Sequence, residues 1–274
     1  MRLLLKIFLC LFISDAFAQI KLPRLISDNM ILQRNTKTKI WGSASSHEVI
    51  KIRFKQFVFQ IKADENGKWA IEIPPQKAGV SGDIIFKGKN EITVKNIVFG
   101  DIWLCSGQSN MEIDMNRLID KYSEEIRKAD YPNIRQFIVP DKYNFHEEKD
   151  DFTTGNWQIA TPKNILSFSA VAFFFAKDIH EKYKTPVGII NSALGGSPAE
   201  AWISADAIKA FPNYESEFQR FKNDDLIKNL EDTDKNTSKK WHQQLNESDN
   251  GLKQNWKSTN VNDIDWQEIE LPDS

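Results

Sequence analysis

The feature that most constrains the fold is a pair of apolar segments, each followed by a turn rich in glycine and serine. Residues 98–105 run into the turn at 106–109, and residues 187–190 run into the turn at 191–197, which contains Gly195 and Gly196. Continuous apolar strands that alternate with helices are typical of a parallel sheet with helices on both faces. Because ligands bind at the carboxyl edge of such a sheet, we expect both turns to meet there.

Helical periodicity follows the strands. Apolar residues recur at steps of three and four over residues 111–129, which predicts one amphipathic helix capped by Asn110. A second helix is predicted at residues 166–183. The run Ser-Pro-Ala-Glu at residues 197–200 has a capping serine, a proline at the first position and a glutamate at the third, and it predicts the start of another helix.

The chain before residue 98 has a different pattern. Residues 49–54, 57–63 and 68–73 alternate apolar and polar side chains, and residues 64–67 have the composition of a tight turn. Short strands at this spacing predict a small β-sandwich.

Changes of composition divide the chain into five predicted segments. Residues 1–18 resemble a secretory signal, 19–97 form the β-sandwich, and 98–212 form the first part of an α/β domain. Residues 213–250 are charged and are either a surface helix or a linker. Residues 251–274 are predicted to begin a further β domain that is truncated, so we expect a fragment of a longer protein.

Composition excludes several function classes. The formal net charge is −2 over 274 residues, which gives no reason to expect a nucleic-acid partner. The apolar part of the signal is too short to span a membrane, so we expect a secreted or periplasmic protein. Cys10 lies in the signal and leaves Cys105 alone, which excludes a disulfide framework. We interpret Cys105 as a small core residue, not a nucleophile.

Ser109 is the candidate nucleophile. A glycine two residues earlier, Gly107, permits a sharp turn, and amide hydrogens at a helix entry can face a developing anion. Ser106 has the same side chain but lies on the strand side of Gly107. The alternative is that Ser109 or Asn110 merely caps the helix. Likewise, the Gly195-Gly196 pair can be an ordinary turn or a donor of bare amides to an oxyanion.

Two long blocks of sequence resemble the sialate O-acetylesterase family of SGNH-type carbohydrate esterases. Residues 100–111 read Gly-Asp-Ile-Trp-Leu-Cys-Ser-Gly-Gln-Ser-Asn-Met, and residues 187–202 include the second turn and end in Glu-Ala-Trp. Residues 27–33 and the Asn-Gly-Lys-Trp turn at 66–69 resemble the N-terminal β domain of the family. The resemblance covers roughly residues 23–210.

This resemblance implies an α/β fold in which a small β-sandwich precedes an incomplete SGNH-type, flavodoxin-like parallel sheet. It implies that Ser109 is the nucleophile of a carboxylic-ester hydrolase that releases acetate from O-acetylated sugars through an acyl-enzyme. Gly195 or Gly196 would share the oxyanion with the Ser109 amide, and Gln108 and Asn110 would line the site. The implied partner is an acetylated carbohydrate, and the family uses neither a metal nor a cofactor.

One departure from the family pattern concerns the general base. The family takes its histidine from an Asp-x-x-His motif, and none of His47, His146, His180 and His242 has that spacing. We therefore expect the chain alone to be nearly inert. Two alternatives stay open: an esterase for polysaccharides such as acetylated xylan, and a non-catalytic carbohydrate-binding protein.

Overall fold

A computed structural model of the chain describes residues 19–142 and 144–269, and the predicted signal at 1–18 lies outside them. The described residues up to Ala201 form one compact unit, and those from Trp202 onward form a second. No helix within these described ranges is long and apolar enough to cross a membrane.

Ten strands are described, all in the first unit. They are Ile31–Gln33 (β1), Thr38–Ser43 (β2), Val49–Phe54 (β3), Phe57–Lys62 (β4), Lys68–Ile73 (β5), Ser81–Lys87 (β6), Glu91–Gly107 (β7), Tyr131–Ile138 (β8), Trp157–Ala160 (β9) and Val187–Ala193 (β10). Seven of them follow the order β4-β3-β6-β7-β10-β8-β9 in one sheet, with β1 also paired to β7, while β2 and β5 form a separate antiparallel ribbon.

Strand β7 joins two halves of this unit: a β-rich half that contains β1 to β6, and an α/β half that contains β8 to β10. Its first part pairs antiparallel with β6 in the β-rich half, and its last part, Asp101 to Gly107, pairs parallel with β10. The boundary predicted at residue 98 therefore falls inside a 17-residue strand and not between two elements. The reason is that pairing continues past residue 98, because Val98 to Gly100 pair with β1 and Asp101 to Gly107 pair with β10.

The α/β fold class is confirmed, with β8, β10 and β7 forming the parallel core of the sheet. The α-helices are Ser109–Glu112 (α1), Ile119–Arg127 (α2), Ala170–Tyr183 (α3), Pro212–Arg220 (α4), Asp224–Ser248 (α5) and Asn250–Lys253 (α6). Short 3-10 helices lie at Met115–Leu118, Ile165–Ser167, Ala199–Trp202 and Ala207–Ala210. The second predicted helix, at 166–183, is thus α3 preceded by a 3-10 turn.

The prediction of a single helix over 111–129 is wrong. Helix α1 ends at Glu112, a 3-10 turn follows, and α2 begins only at Ile119. The chain opens between them because the Ile113 carbonyl accepts from the Ala170 amide at 2.8 Å and the Met115 amide donates to the Phe168 carbonyl at 2.9 Å. Asp114 then caps the new turn by accepting from the Arg117 amide at 3.1 Å.

Two further predictions differ from the structure. The helix signal at residues 197–200 yields only the 3-10 turn Ala199–Trp202. The apolar strand at 98–105 is not covered on both faces, because the Leu104 side chain is 70% exposed. On the other face of the strand, the Trp103 ring meets the Phe175 ring of helix α3 edge to face at 5.0 Å.

A buried arginine connects the α/β strands to the β-rich half. Arg135 on β8 is 4% exposed and donates to the backbone carbonyls of Pro132, Asn29 and Asn96 at 3.0, 2.9 and 2.5 Å. Burial lowers the pKa of Arg135 to about 10, so the guanidinium still carries its charge at neutral pH. These carbonyl dipoles stabilise a charge that would otherwise be costly to bury.

The second unit is helical. Most of residues 213–250, for which both a helix and a linker were considered, lie in α4 and the 25-residue α5. Asn223 caps α5 by accepting from the Leu226 amide at 3.1 Å. Residues 251–269 contain the end of α6 and turns but no strand, so the strands expected there are not formed in the described part of this segment.

Candidate active site

The turn after β7 places Ser109 on the surface. Gly107 has φ +150°, a conformation that other residues rarely adopt, and this sharp turn ends the strand. Gln108 is the N-cap and Ser109 is the first residue of α1, so the prediction that Asn110 is the N-cap is wrong. Ser109 is exposed, and its hydroxyl has no hydrogen-bond partner among the described residues. The interpretation of Ser109 as a helix cap therefore fails.

Hydrogen bonds join this turn to the turn after β10. The Leu194 amide donates to the Gly107 carbonyl at 3.0 Å, and the Gln108 side-chain amide donates to the Ser197 carbonyl. Ser197 is 5% exposed, and its hydroxyl donates to the Leu194 carbonyl at 2.6 Å. The two turns lie together at one sheet edge because β7 and β10 are parallel neighbours in register, with Gly107 opposite Ala193.

Gly195 is the glycine that lies against Ser109. A side-chain carbon built on Gly195 would lie 3.5 Å from the Ser109 Cβ and would collide with a Glu112 carboxylate oxygen. Gly196 has φ +75°, and a carbon built there meets nothing within 4 Å. The structure thus brings Ser109, Gln108 and Gly195 together, while Gly196 faces open space and Asn110 is exposed on α1.

Glu112 is the residue that the sequence reasoning missed. Its carboxylate accepts a hydrogen bond from the Gly195 amide at 2.7 Å. One signal could have identified it, since Glu112 follows Ser109 by three residues and so lies on the same helix face. An amide that already binds a carboxylate is oriented toward negative charge, which is the property an oxyanion site requires.

Two of the described histidines have hydrogen bonds away from Ser109. The His180 ring bonds the Thr185 carbonyl at 2.7 Å at the end of α3, and the His242 ring bonds the Ser238 carbonyl at 2.8 Å within α5. His47 lies in a loop of the β-rich half with φ +57°. The hydrogen bonds of the His180 and His242 rings thus lead to residues of their own helices or the turn that follows, and not to Ser109.

Cys105 is buried on β7 as expected. It is 8% exposed and packs in the apolar core that includes α3. Burial raises the pKa of its thiol, which disfavours the reactive thiolate.

Comparison with known proteins identifies the family. Residues 99–261 match the family described as "SASA: Carbohydrate esterase, sialic acid-specific acetylesterase", a match over more than half of the chain. The chain belongs to this carbohydrate esterase family. The predicted resemblance is confirmed.

Relatives with named activities support the assignment. Proteins named sialate O-acetylesterase from Pongo abelii and Homo sapiens are 28% and 27% identical to the chain over 204 and 205 residues, or 68% of the chain. The match covers 39% of each of these two relatives, so the chain spans about two-fifths of their length.

A solved structure shares the fold. A carbohydrate acetylesterase from Xanthomonas citri is 34% identical, with a TM-score of 0.66 over 68% of this chain and 43% of that protein. The carbohydrate esterase family thus matches this chain in both sequence and structure.

Proposed function

We propose that the protein is a carbohydrate O-acetylesterase that acts on O-acetylated sialic acid, with Ser109 as the nucleophile. The observation that carries the proposal is the exposed Ser109 side chain packed beside Gly195. Membership of the sialic acid-specific acetylesterase family supports the acetyl ester as the substrate group.

In the proposed reaction, Ser109 Oγ attacks the acetyl carbonyl carbon while its proton passes to a general base. The carbonyl electrons move onto the oxygen, and the amides of Ser109 and Gly195 donate to it, each stabilising the transition state by about 3 kcal/mol. The sugar oxygen then leaves with a proton. Water attacks the acetyl-enzyme, releases acetate and restores the serine.

Glu112 has a defined place in this mechanism. Its carboxylate accepts the hydrogen bond of the Gly195 amide, which the substrate oxygen would have to accept instead. The side chain is exposed and can rotate away when the substrate enters. The oxyanion of the tetrahedral intermediate then takes the position of the carboxylate oxygen.

The general base in this proposal is none of the four histidines of the chain. A serine without its histidine loses roughly a millionfold in turnover. We therefore expect the 274-residue chain on its own to hydrolyse acetyl esters barely above background.

The test is a pair of serine variants in the longer esterase that we propose contains this chain. Ser109→Ala should lower the rate of acetate release from O-acetylated sialosides about a millionfold in kcat, because the substitution removes the proposed nucleophile. Ser106→Ala is the matched control, since Ser106 is also exposed and lies three residues earlier. We expect this control to keep activity within a few-fold of the parent.

Two outcomes would contradict the proposal. Retained activity in Ser109→Ala would reject the nucleophile. Faster hydrolysis of acetylated xylan than of acetylated sialoside by the parent protein would reject the sugar but keep the chemistry.

A further inference from the structure

A cleft in the β-rich half lies apart from the Ser109 site. It has a volume of about 640 Å³ and is formed by the β2–β5 ribbon, residues 21–23 and the loop at Asp150 and Asp151. That volume is in the range of small-molecule sites. None of its lining residues belongs to the two turns that surround Ser109.

The floor of the cleft is an aromatic surface beside a small residue. Ile40, Trp69 and Ile71 point into the core, so the alternate residues of the ribbon face outward. Among these, Trp41 is half-buried and stands directly opposite the exposed Ala70 in the strand register. A tryptophan whose ring is flanked by a methyl group offers a flat apolar surface that a pyranose ring can stack on.

The walls of the cleft carry balanced charge. Three lysines and three aspartates line it: Lys21, Lys39, Lys68, Asp64, Asp150 and Asp151. An excess of lysine over aspartate would favour a phosphate or a carboxylate as the ligand, and the lining has no such excess. Lysine donates and aspartate accepts hydrogen bonds, so together they suit hydroxyl groups, which do both.

Specific contacts hold the loop wall in place. Lys68 Nζ lies 2.7 Å from Asp150 Oδ2, and an Asp151 oxygen accepts from the Arg24 amide at 2.8 Å. Lys68 itself stands opposite Ser43 on the ribbon, next to the Trp41–Ala70 pair. The charged wall and the aromatic floor therefore face one space.

We propose that this cleft binds a neutral oligosaccharide, with a sugar ring stacked on Trp41 and its hydroxyl groups bonded to the lysines and aspartates. The site is independent of the proposed chemistry at Ser109.

The test is isothermal titration calorimetry of the whole chain with xylohexaose and cellohexaose, and with hexagalacturonate as the anionic probe. At least one neutral probe should bind, and Trp41→Ala should weaken that binding about tenfold or more. Ala70→Arg should weaken it similarly by covering the stacking surface, and it leaves the core contacts of Trp41 intact. Thermal unfolding monitors the fold of each variant.

Matched controls separate this site from other surfaces. Trp103→Ala removes a tryptophan outside the cleft, 44% exposed on β7, and should leave binding unchanged. Ser109→Ala should also bind normally, so a failure of the esterase proposal does not affect this test.

Three results would overturn the proposal. The first is no binding of either neutral probe at millimolar concentration. The second is undiminished binding by both Trp41→Ala and Ala70→Arg. The third is binding of hexagalacturonate as tight as that of the neutral probes, which would contradict the assignment of an uncharged ligand.

Discussion

Two adjacent glycines have different surroundings at the site. The sequence gives no basis for choosing between Gly195 and Gly196, because both follow the same strand and precede the same helix signal. Three-dimensional packing separates them, since only Gly195 lies against Ser109 and Glu112. We therefore favour the Gly195 amide as the second oxyanion donor.

This difference predicts that an alanine substitution has a different effect at each of the two glycines. Gly195→Ala in the proposed longer esterase should lower kcat/KM about a hundredfold, because the new methyl group lies 3.5 Å from the Ser109 Cβ and takes space that the substrate needs beside the nucleophile. Gly196→Ala should cost about 1 to 2 kcal/mol of stability because of its positive φ, with activity kept within a few-fold. Steady-state kinetics and thermal unfolding measure the two effects. Equal loss of activity in both variants would contradict the choice of Gly195.

At the level of secondary structure, the sequence predicted the strands well and the helices less well. Alternation at residues 49–54 and 68–73 corresponds to β3 and β5 with their predicted bounds. The periodicity at 111–129 did not reveal a break, because Met111, Met115 and Tyr122 all keep core contacts across it. The break results from backbone hydrogen bonds to a segment more than fifty residues later, which no local pattern encodes.

The buried Arg135 of β8 leads to a prediction about the stability of the protein. Arg135→Met should lower the free energy of unfolding by about 3 kcal/mol, because three backbone carbonyls lose a charged donor. Arg53→Met on the exposed face of β3 is the control and should change it by less than about 0.5 kcal/mol. Denaturant unfolding provides the measurement. An equal effect of both substitutions would show that the Arg135 hydrogen bonds contribute little.

At the scale of the whole molecule, the last part of β7 forms an unpaired edge of the parallel sheet in the described residues. From Trp103 onward, β7 pairs with β10 and with no other strand in the part of the chain that the structure describes. Leu104 lies there with its side chain 70% exposed. An unpaired edge beside an exposed leucine is a surface on which strands of other molecules can pair.

The open edge predicts concentration-dependent self-association of the 274-residue chain. Leu104→Lys should reduce the association, because a charged side chain at an edge opposes pairing. Val171→Lys is the control, since Val171 is also an exposed apolar residue, 51% exposed, but lies on helix α3 and not at a sheet edge. Sedimentation velocity at several concentrations measures the self-association of the parent chain and of each variant. A monomer at all concentrations, or an equal response to both lysines, would contradict the prediction.

The family, the fold class and the nearness of the two turns could be predicted from residues 98–111 and 187–202. Parallel strands with matching turns allow few arrangements. The contact of Glu112 with the Gly195 amide and the charge-balanced cleft around Trp41 could not be predicted, because each depends on segments distant in sequence. Lys68 and Asp150, for example, are separated by 82 positions.

The shared strand β7 has a practical consequence for protein engineering. Cutting or grafting the chain at residue 98 would divide a hydrogen-bonded strand and leave each piece with an incomplete sheet. Exchange of modules among relatives should therefore move both halves together, with the junction placed beyond the second turn.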